Sequence, residues 1–195
     1  MILNTQQLIK NYDNYVDPKG KIARDVKNGK LFCVRRGLYE TNKNVDGLKL
    51  AQFIYSPSYV SFEYVLSQWS IIPEAVYNTY TCATFNKRRK KQFTNAFGLY
   101  LYRDVPNEVF RYGVKYYEED SYSYMVATKE KALCDMLYTI TPMYSLKEFK
   151  QLLFEDLRID DEELNNMDKE FIYMIAPLYH VRNLDWLVKY LKGEE

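Results

Sequence analysis

The side chains best placed to do chemistry in this chain are cations near its start. Asp17-Pro18 opens a helix, with the acid as N-cap and proline at the first helical position, and Gly29 closes it. Ile22 and Val26 lie four apart with Ala23 beside them, which predicts one buried stripe. At ~100° per residue, Lys21, Arg24 and Asn28 fall on the opposite side. Such a face suits the major groove of duplex DNA: arginine grips guanine through two donors, asparagine reads adenine and lysine neutralises phosphate. Residues 30–34, then Arg35-Arg36-Gly37, then residues 38–40 read as two short strands around a basic turn, a wing able to lie on the backbone. Lys19, Lys21, Lys27, Arg35 and Arg36 are assigned to phosphates, and Arg24 and Asn28 to base edges. Any surface helix also has a polar side, so a plain solvated face is the competing reading.

A second basic element is Lys87-Arg88-Arg89-Lys90-Lys91. Five consecutive cations must spread over both faces of any strand, which predicts an exposed loop. That loop either meets phosphate or only keeps the protein soluble. Phe85, Phe93 and Phe97 nearby alternate as core residues do and are assigned to the core rather than to base stacking.

Little points to catalysis. The carboxylates of Asp160, Asp161, Glu162 and Glu163 are consecutive and would fan around a helix, and Glu118-Glu119-Asp120 reads as a hairpin turn. His180, the one histidine, sits in Leu178-Tyr179-His180-Val181 without a nucleophile elbow and reads as structural. The seven glycines are scattered and form no phosphate-cradling loop. Cys33, Cys82 and Cys134 are far apart, which argues against a disulfide framework or a cysteine metal site and for a reducing, cytoplasmic setting. The expectation is a protein that is not an enzyme and needs no metal or cofactor.

The elements that must position these groups follow from patterning. The 195 residues are 47% hydrophobic and 27% charged, enough for a real core. No apolar run approaches the ~18 residues of a membrane span, and the start lacks a signal-peptide pattern, so no membrane partner is expected. The net charge of +1 hides a division: residues 1–103 carry 16 Lys+Arg against 7 Asp+Glu, and residues 104–195 carry 11 against 19. Either the first half meets a polyanion or the halves attract each other. Thr5 is a cap for a first helix carrying Leu8 and Ile9 and ending near Asn14. Residues 46–72 read as helical, broken at Ser56-Pro57-Ser58 and resumed from Ser61 as N-cap. Residues 76–127 alternate as strands, with a turn at Asn95-Ala96-Phe97-Gly98. Thr128 caps a helix with Ala132, Leu133, Met136, Leu137 and Ile140 on one face. Ser145 with Glu148 and Asp160 with Glu163 resemble capping boxes, and Leu184, Leu187, Val188 and Leu191 mark a last amphipathic helix. The predicted fold is α+β: a small winged helix over residues 1–45, trimmed because little chain precedes Asp17, then a mixed helix–antiparallel sheet domain over 46–195 with C-terminal helices.

Read in order, four stretches resemble the AbiE-type (abortive infection) antitoxin family of transcriptional regulators. They are Gly29-Lys30-Leu31 through Arg36-Gly37-Leu38-Tyr39; Pro57-Ser58-Tyr59-Val60-Ser61-Phe62-Glu63 with Leu66 and Ile71-Ile72-Pro73-Glu74; residues 79–102; and Ala127-Thr128-Lys129-Glu130-Lys131-Ala132-Leu133-Cys134-Asp135-Met136-Leu137-Tyr138. Departures fall at Tyr64-Val65, where the family has small residues, at Ser70 for glycine, and at Lys129 for proline. The resemblance covers about residues 17–140. It implies a winged helix that binds inverted repeats of double-stranded DNA in its own promoter, and a larger domain that counteracts a nucleotidyltransferase-like toxin without a stable complex, as in type IV systems. Of the signature around Glu130, it implies a structural role, with Glu130 and Lys131 in the first turn and Ala132 and Leu133 facing the core. One module is small, so a homodimer or paired binding at two half-sites is expected. The alternatives are a protein-interaction module or a stand-alone regulator with no toxin.

Overall fold

The computed structural model describes residues 1–74 and 77–194; Val76, where the alternating stretch begins, lies outside the described residues. The first lobe contains β1 (Ile2–Asn4), α1 (Thr5–Asn11), α2 (Pro18–Lys27), β2 (Phe32–Arg35) and β3 (Leu38–Glu40). Its strands form an antiparallel sheet in the order β1-β3-β2. The cap of α1 is Asn4, one residue ahead of Thr5: its side chain accepts from the Gln7 amide at 2.9 Å while the Gln7 side chain accepts from the Asn4 amide at 2.8 Å. Thr5 instead ties the helix to the basic turn, through its amide to the Gly37 carbonyl at 3.1 Å. Asp17 caps α2 as expected, and a Cβ on Gly20 would lie 1.9 Å from that carboxylate, so the cap itself excludes any larger residue there. Leu3, Leu8, Ile22 and Leu31 make a small core belonging to this lobe alone.

A short helical turn, Gly47–Leu50, leads into the larger unit: α3 (Ala51–Ile54), β4 (Tyr59–Val60), α4 (Phe62–Gln68), β5 (Thr79–Thr84), β6 (Lys91–Asn95), β7 (Gly98–Asp104), β8 (Val114–Glu119) and β9 (Tyr122–Ala127). Helices α5 (Lys129–Thr139), α6 (Leu146–Gln151), α7 (Asp161–Asn165), α8 (Lys169–Ile175) and α9 (Arg182–Lys192) complete it. The six strands run in the order β6-β7-β5-β4-β9-β8. The fold is α+β, but this sheet is mixed rather than antiparallel. After the Ala96-Phe97 turn, β7 slots between β6 and β5 and lies parallel to β5; β4 lies parallel to β9. Asp120 and Ser121, both at positive φ, make the β8–β9 turn, one residue later than Glu118 and Glu119, which still belong to β8.

The two units are bolted together through polar contacts. Glu40 is fully buried and accepts from the Tyr122 hydroxyl at 2.9 Å, from the Thr41 and Asn42 amides at 2.8 and 2.9 Å, and from the Met1 amine. Burial alone would raise the Glu40 pKa, but these donors hold it below the ordinary carboxylate value. The Asn95 side chain donates to the Val34 carbonyl at 2.8 Å, and Phe32 meets Phe97 edge to face.

The larger core is organised by α5, buried continuously from Glu130 to Leu137. Lys131, expected as a first-turn residue, is in that turn but is wholly enclosed, as is Asp135 one turn on. Lys131 Nζ stands 2.6 Å from Asp135 Oδ1 and 2.6 Å from the Tyr179 hydroxyl. The other carboxylate oxygen accepts from Tyr59 at 2.9 Å and from Ser61 at 2.8 Å. Ser61 therefore occupies the N-cap position of α4 without capping it, because its hydroxyl is committed to Asp135. Burial, and next the Asp135 charge, push the Tyr59 and Tyr179 hydroxyls far above their ordinary pKa. Removing one member of a buried pair strands the other, so Lys131→Met should cost about 3–5 kcal/mol of stability in urea unfolding. Lys131→Met with Asp135→Leu should recover part of that loss, since no unpaired charge then remains while the Tyr59, Ser61 and Tyr179 hydroxyls lose their acceptor.

Candidate nucleic-acid interface

Helix α2 turns Lys19, Arg24, Lys27 and Asn28 outward, and Ala23 with them. Ala23 was expected in the buried stripe; Asp25 takes that place beside Ile22. Counting Asp25 rotates the buried arc at ~100° per residue toward Lys21, which moves to the rim. Lys21 accordingly bends back: its Nζ lies 2.6 Å from Asp25 Oδ1 and 5.4 Å from the ring centroids of Tyr12 and Tyr15. It neutralises a buried acid and is not an outward cation, a correction to its assignment to phosphate. The Tyr12 hydroxyl donates to Asp25 Oδ2 at 2.7 Å, and this bond, with burial, raises its pKa to about 12.

The basic turn is brief. Arg35 ends β2, Arg36 and Gly37 make the turn, and both arginines are exposed. Gly37 has φ +82°, a conformation other residues rarely adopt. A bulge between Cys33 and Arg35 re-aims Arg35, which borders a cleft of about 340 Å³ with Gln52, Phe53 and Ser56.

The same Ser56 receives Lys87, whose Nζ reaches its carbonyl at 3.1 Å and sits 5.0 Å from the Tyr55 ring centroid. The first cation of the 87–91 run is thus brought to the loop that Arg35 borders. The run spans most of the β5–β6 connection, with Lys91 already in β6. Asp104 fixes its start, accepting from the Lys87 and Arg88 amides at 2.8 and 2.6 Å. Arg88, Arg89 and Lys90 are exposed and Lys91 is half-buried. Phe97 is buried and Phe85 and Phe93 half-buried, as core residues should be.

Among the described residues, no ion pair engages Lys19, Arg24, Lys27, Arg35, Arg36 or any cation of the 87–91 run. Cations of the larger unit such as Lys49, Arg103, Lys129 and Arg158 are paired.

Other groups weighed from sequence sit apart. His180 is exposed rather than packed, ends the Ala176–Tyr179 turn at φ 54°, and faces Glu108 at 3.4 Å. Asp160 caps α7 through the Glu163 amide. Cys82 and Cys134 are enclosed, and burial pushes their thiols up. Among the described residues no three His, Cys, Asp or Glu side chains gather as cation ligands, and no helix is long and apolar enough to cross a membrane. The chain matches no protein-family model and no curated protein.

Two predictions follow from how these groups are held. The Lys21 ammonium, and next the Tyr12 hydroxyl, keep the Asp25 carboxyl below its ordinary 3.8, so its stabilisation is present above that value and lost as pH falls through the lower folded one. Asp25→Asn should therefore cost about 1–3 kcal/mol near neutral pH. In melts taken at successive pH values its deficit should shrink on acidification below about pH 4. Asp104→Ala should release the two amides it holds and speed hydrogen exchange at residues 87 and 88, with α2 unaffected.

Proposed function

We propose that the protein is a DNA-binding transcriptional repressor acting as the antitoxin of a type IV system. The observation that carries the DNA reading is the set of unpaired cations on α2 and the β2–β3 turn, gathered on one small lobe. The layout supports it too. One strand precedes two helices, a hairpin follows, and the strand order β1-β3-β2 supports reading the lobe as a winged helix with one helix fewer.

In this reading Arg24 and Asn28 face base edges, and Lys19, Lys27, Arg35 and Arg36 hold phosphates. Ala23, exposed between Lys19 and Lys27 on the helix surface, keeps the relief low where a groove floor would approach. Lys87 and Arg88 extend the cationic surface beyond Arg35. Two copies on an inverted repeat supply the affinity that one small module lacks. The antitoxin role rests on the family resemblance of residues 17–140, with a neighbouring nucleotidyltransferase-like toxin as the partner counteracted. A second reading, a protein-docking module, draws on Trp69 and Tyr117, 54% and 39% exposed and bordering the same small clefts.

Fluorescence anisotropy on the chain's own promoter DNA across a salt series tests the first reading. Arg24→Ala should weaken promoter binding by about 1–3 kcal/mol and relax sequence preference. Lys27→Ala should weaken all DNA alike and reduce the salt slope by about one. Unchanged affinity in both variants overturns the groove-helix assignment. Co-expression with the neighbouring gene product should relieve its toxicity; no relief removes the antitoxin role and leaves a stand-alone regulator.

A further inference from the structure

A cleft of about 850 Å³ lies far in sequence from the α2 surface. Its floor is the outer face of β5, β7 and β6. The register sets Thr81 and Gln92 on either side of Leu101, all facing one way, while Tyr100 and Tyr102 point into the core. Glu63 of α4 forms one wall, Lys90 the opposite one, and Tyr77, 83% exposed, stands at the rim; Lys91, paired with Tyr102, belongs to the other face of the sheet.

The chemistry of this lining is one-sided. Lys90 and Arg103 face a single acid, Glu63, which Arg103 already engages. The Arg103 guanidinium lies over the Phe62 ring at 4.0 Å, and its Nε is buried with no partner among the described residues. An unpaired buried donor is costly and marks a place where an acceptor belongs. The Thr81 hydroxyl is spent, donating to the Ser61 carbonyl at 2.6 Å and accepting from the Tyr64 amide at 3.0 Å. The Thr79 hydroxyl and Gln92 amide are left, with Leu101 between strands as a flat apolar surface.

Cleft volume and charge together select the ligand. The space is far larger than an inorganic anion and falls within the ~300–1,000 Å³ of small-molecule sites. Cations at one side, a flat floor of mixed polarity and an exposed aromatic ring at the rim match an anionic group joined to a planar heterocycle. We propose that this cleft binds a nucleoside phosphate, its phosphates at Lys90 and the Arg103 guanidinium and its base over Leu101, edged by Thr79 and Gln92. The site is separate from the DNA-binding reading and does not depend on it.

Calorimetric titration of the full chain with ATP, and with tripolyphosphate as the base-free probe, tests the assignment. ATP should bind saturably and at least about tenfold more tightly than tripolyphosphate. Gln92→Trp, which fills the cleft from an exposed strand position, and Lys90→Glu should each weaken ATP by about tenfold or more. Arg24→Ala should leave ATP binding unchanged, which separates this site from the α2 surface. In the parent protein, amide resonances of Thr79, Gln92 and Leu101 should shift on titration, a readout that needs no variant to fold. Absence of saturation, equal affinity for tripolyphosphate, shifts confined to other residues, or parent-like ATP binding by the folded variants would overturn the proposal.

Discussion

The ion pair between Lys131 and Asp135 is the constraint around which the larger unit is arranged. A charge taken from water must be matched at once by opposite charge and by donors or acceptors on every remaining lone pair and proton. Here the partners come from two distant parts of the chain: Tyr59 on β4 with Ser61 at the head of α4, and Tyr179 in the turn before α9. None can move without leaving a polar atom unpaired in the core. Strand β4, two residues long, is held between β5 and β9 partly by this side-chain clasp, and through it α5 is referenced to the middle of the sheet.

The smaller lobe repeats the device at lower cost. Asp25 is buried against Lys21 and Tyr12, but Lys21 keeps some contact with solvent. That pair takes one cation from α2, while the others stay unneutralised. Positive charge is thus left open in both regions: among the described residues the larger unit pairs Lys49, Arg103, Lys129, Lys131 and Arg158 but not Arg111, Lys115, Lys147 or Lys150, and the lobe and the 87–91 loop pair Lys21. A field of unneutralised cations is tolerated when an anionic partner is on hand, because its self-repulsion is relieved only in the complex.

How much of this was legible in the sequence depended on how local the physics was. The Asp17-Pro18 start and Gly29 stop of α2, the Thr128 cap of α5 and the hairpin around Arg36-Gly37 are set by neighbours within four residues, and they were readable. Strands β1 and β4, of three and two residues, exist only because distant partners pair with them, so no periodicity announced either. The insertion of β7 beside β5 is invisible for the same reason. Buried charges were the hardest to read: Lys21 with Asp25 and Lys131 with Asp135 have the i, i+4 spacing of an ordinary solvated pair. What distinguished them was tyrosine, in Tyr12, Tyr59 and Tyr179, reaching in from elsewhere. The open cleft was hidden because Thr79, Gln92 and Leu101 alternate as any half-exposed strand does.

Glu40 gives the junction between lobes an uncommon stiffness. Its carboxylate is saturated by donors from both units, and Asn95 and Phe97 brace the opposite side. If two copies associate, the separation and tilt of their α2 helices are dictated by the bodies that carry them, as the jaws of a caliper are set by its frame.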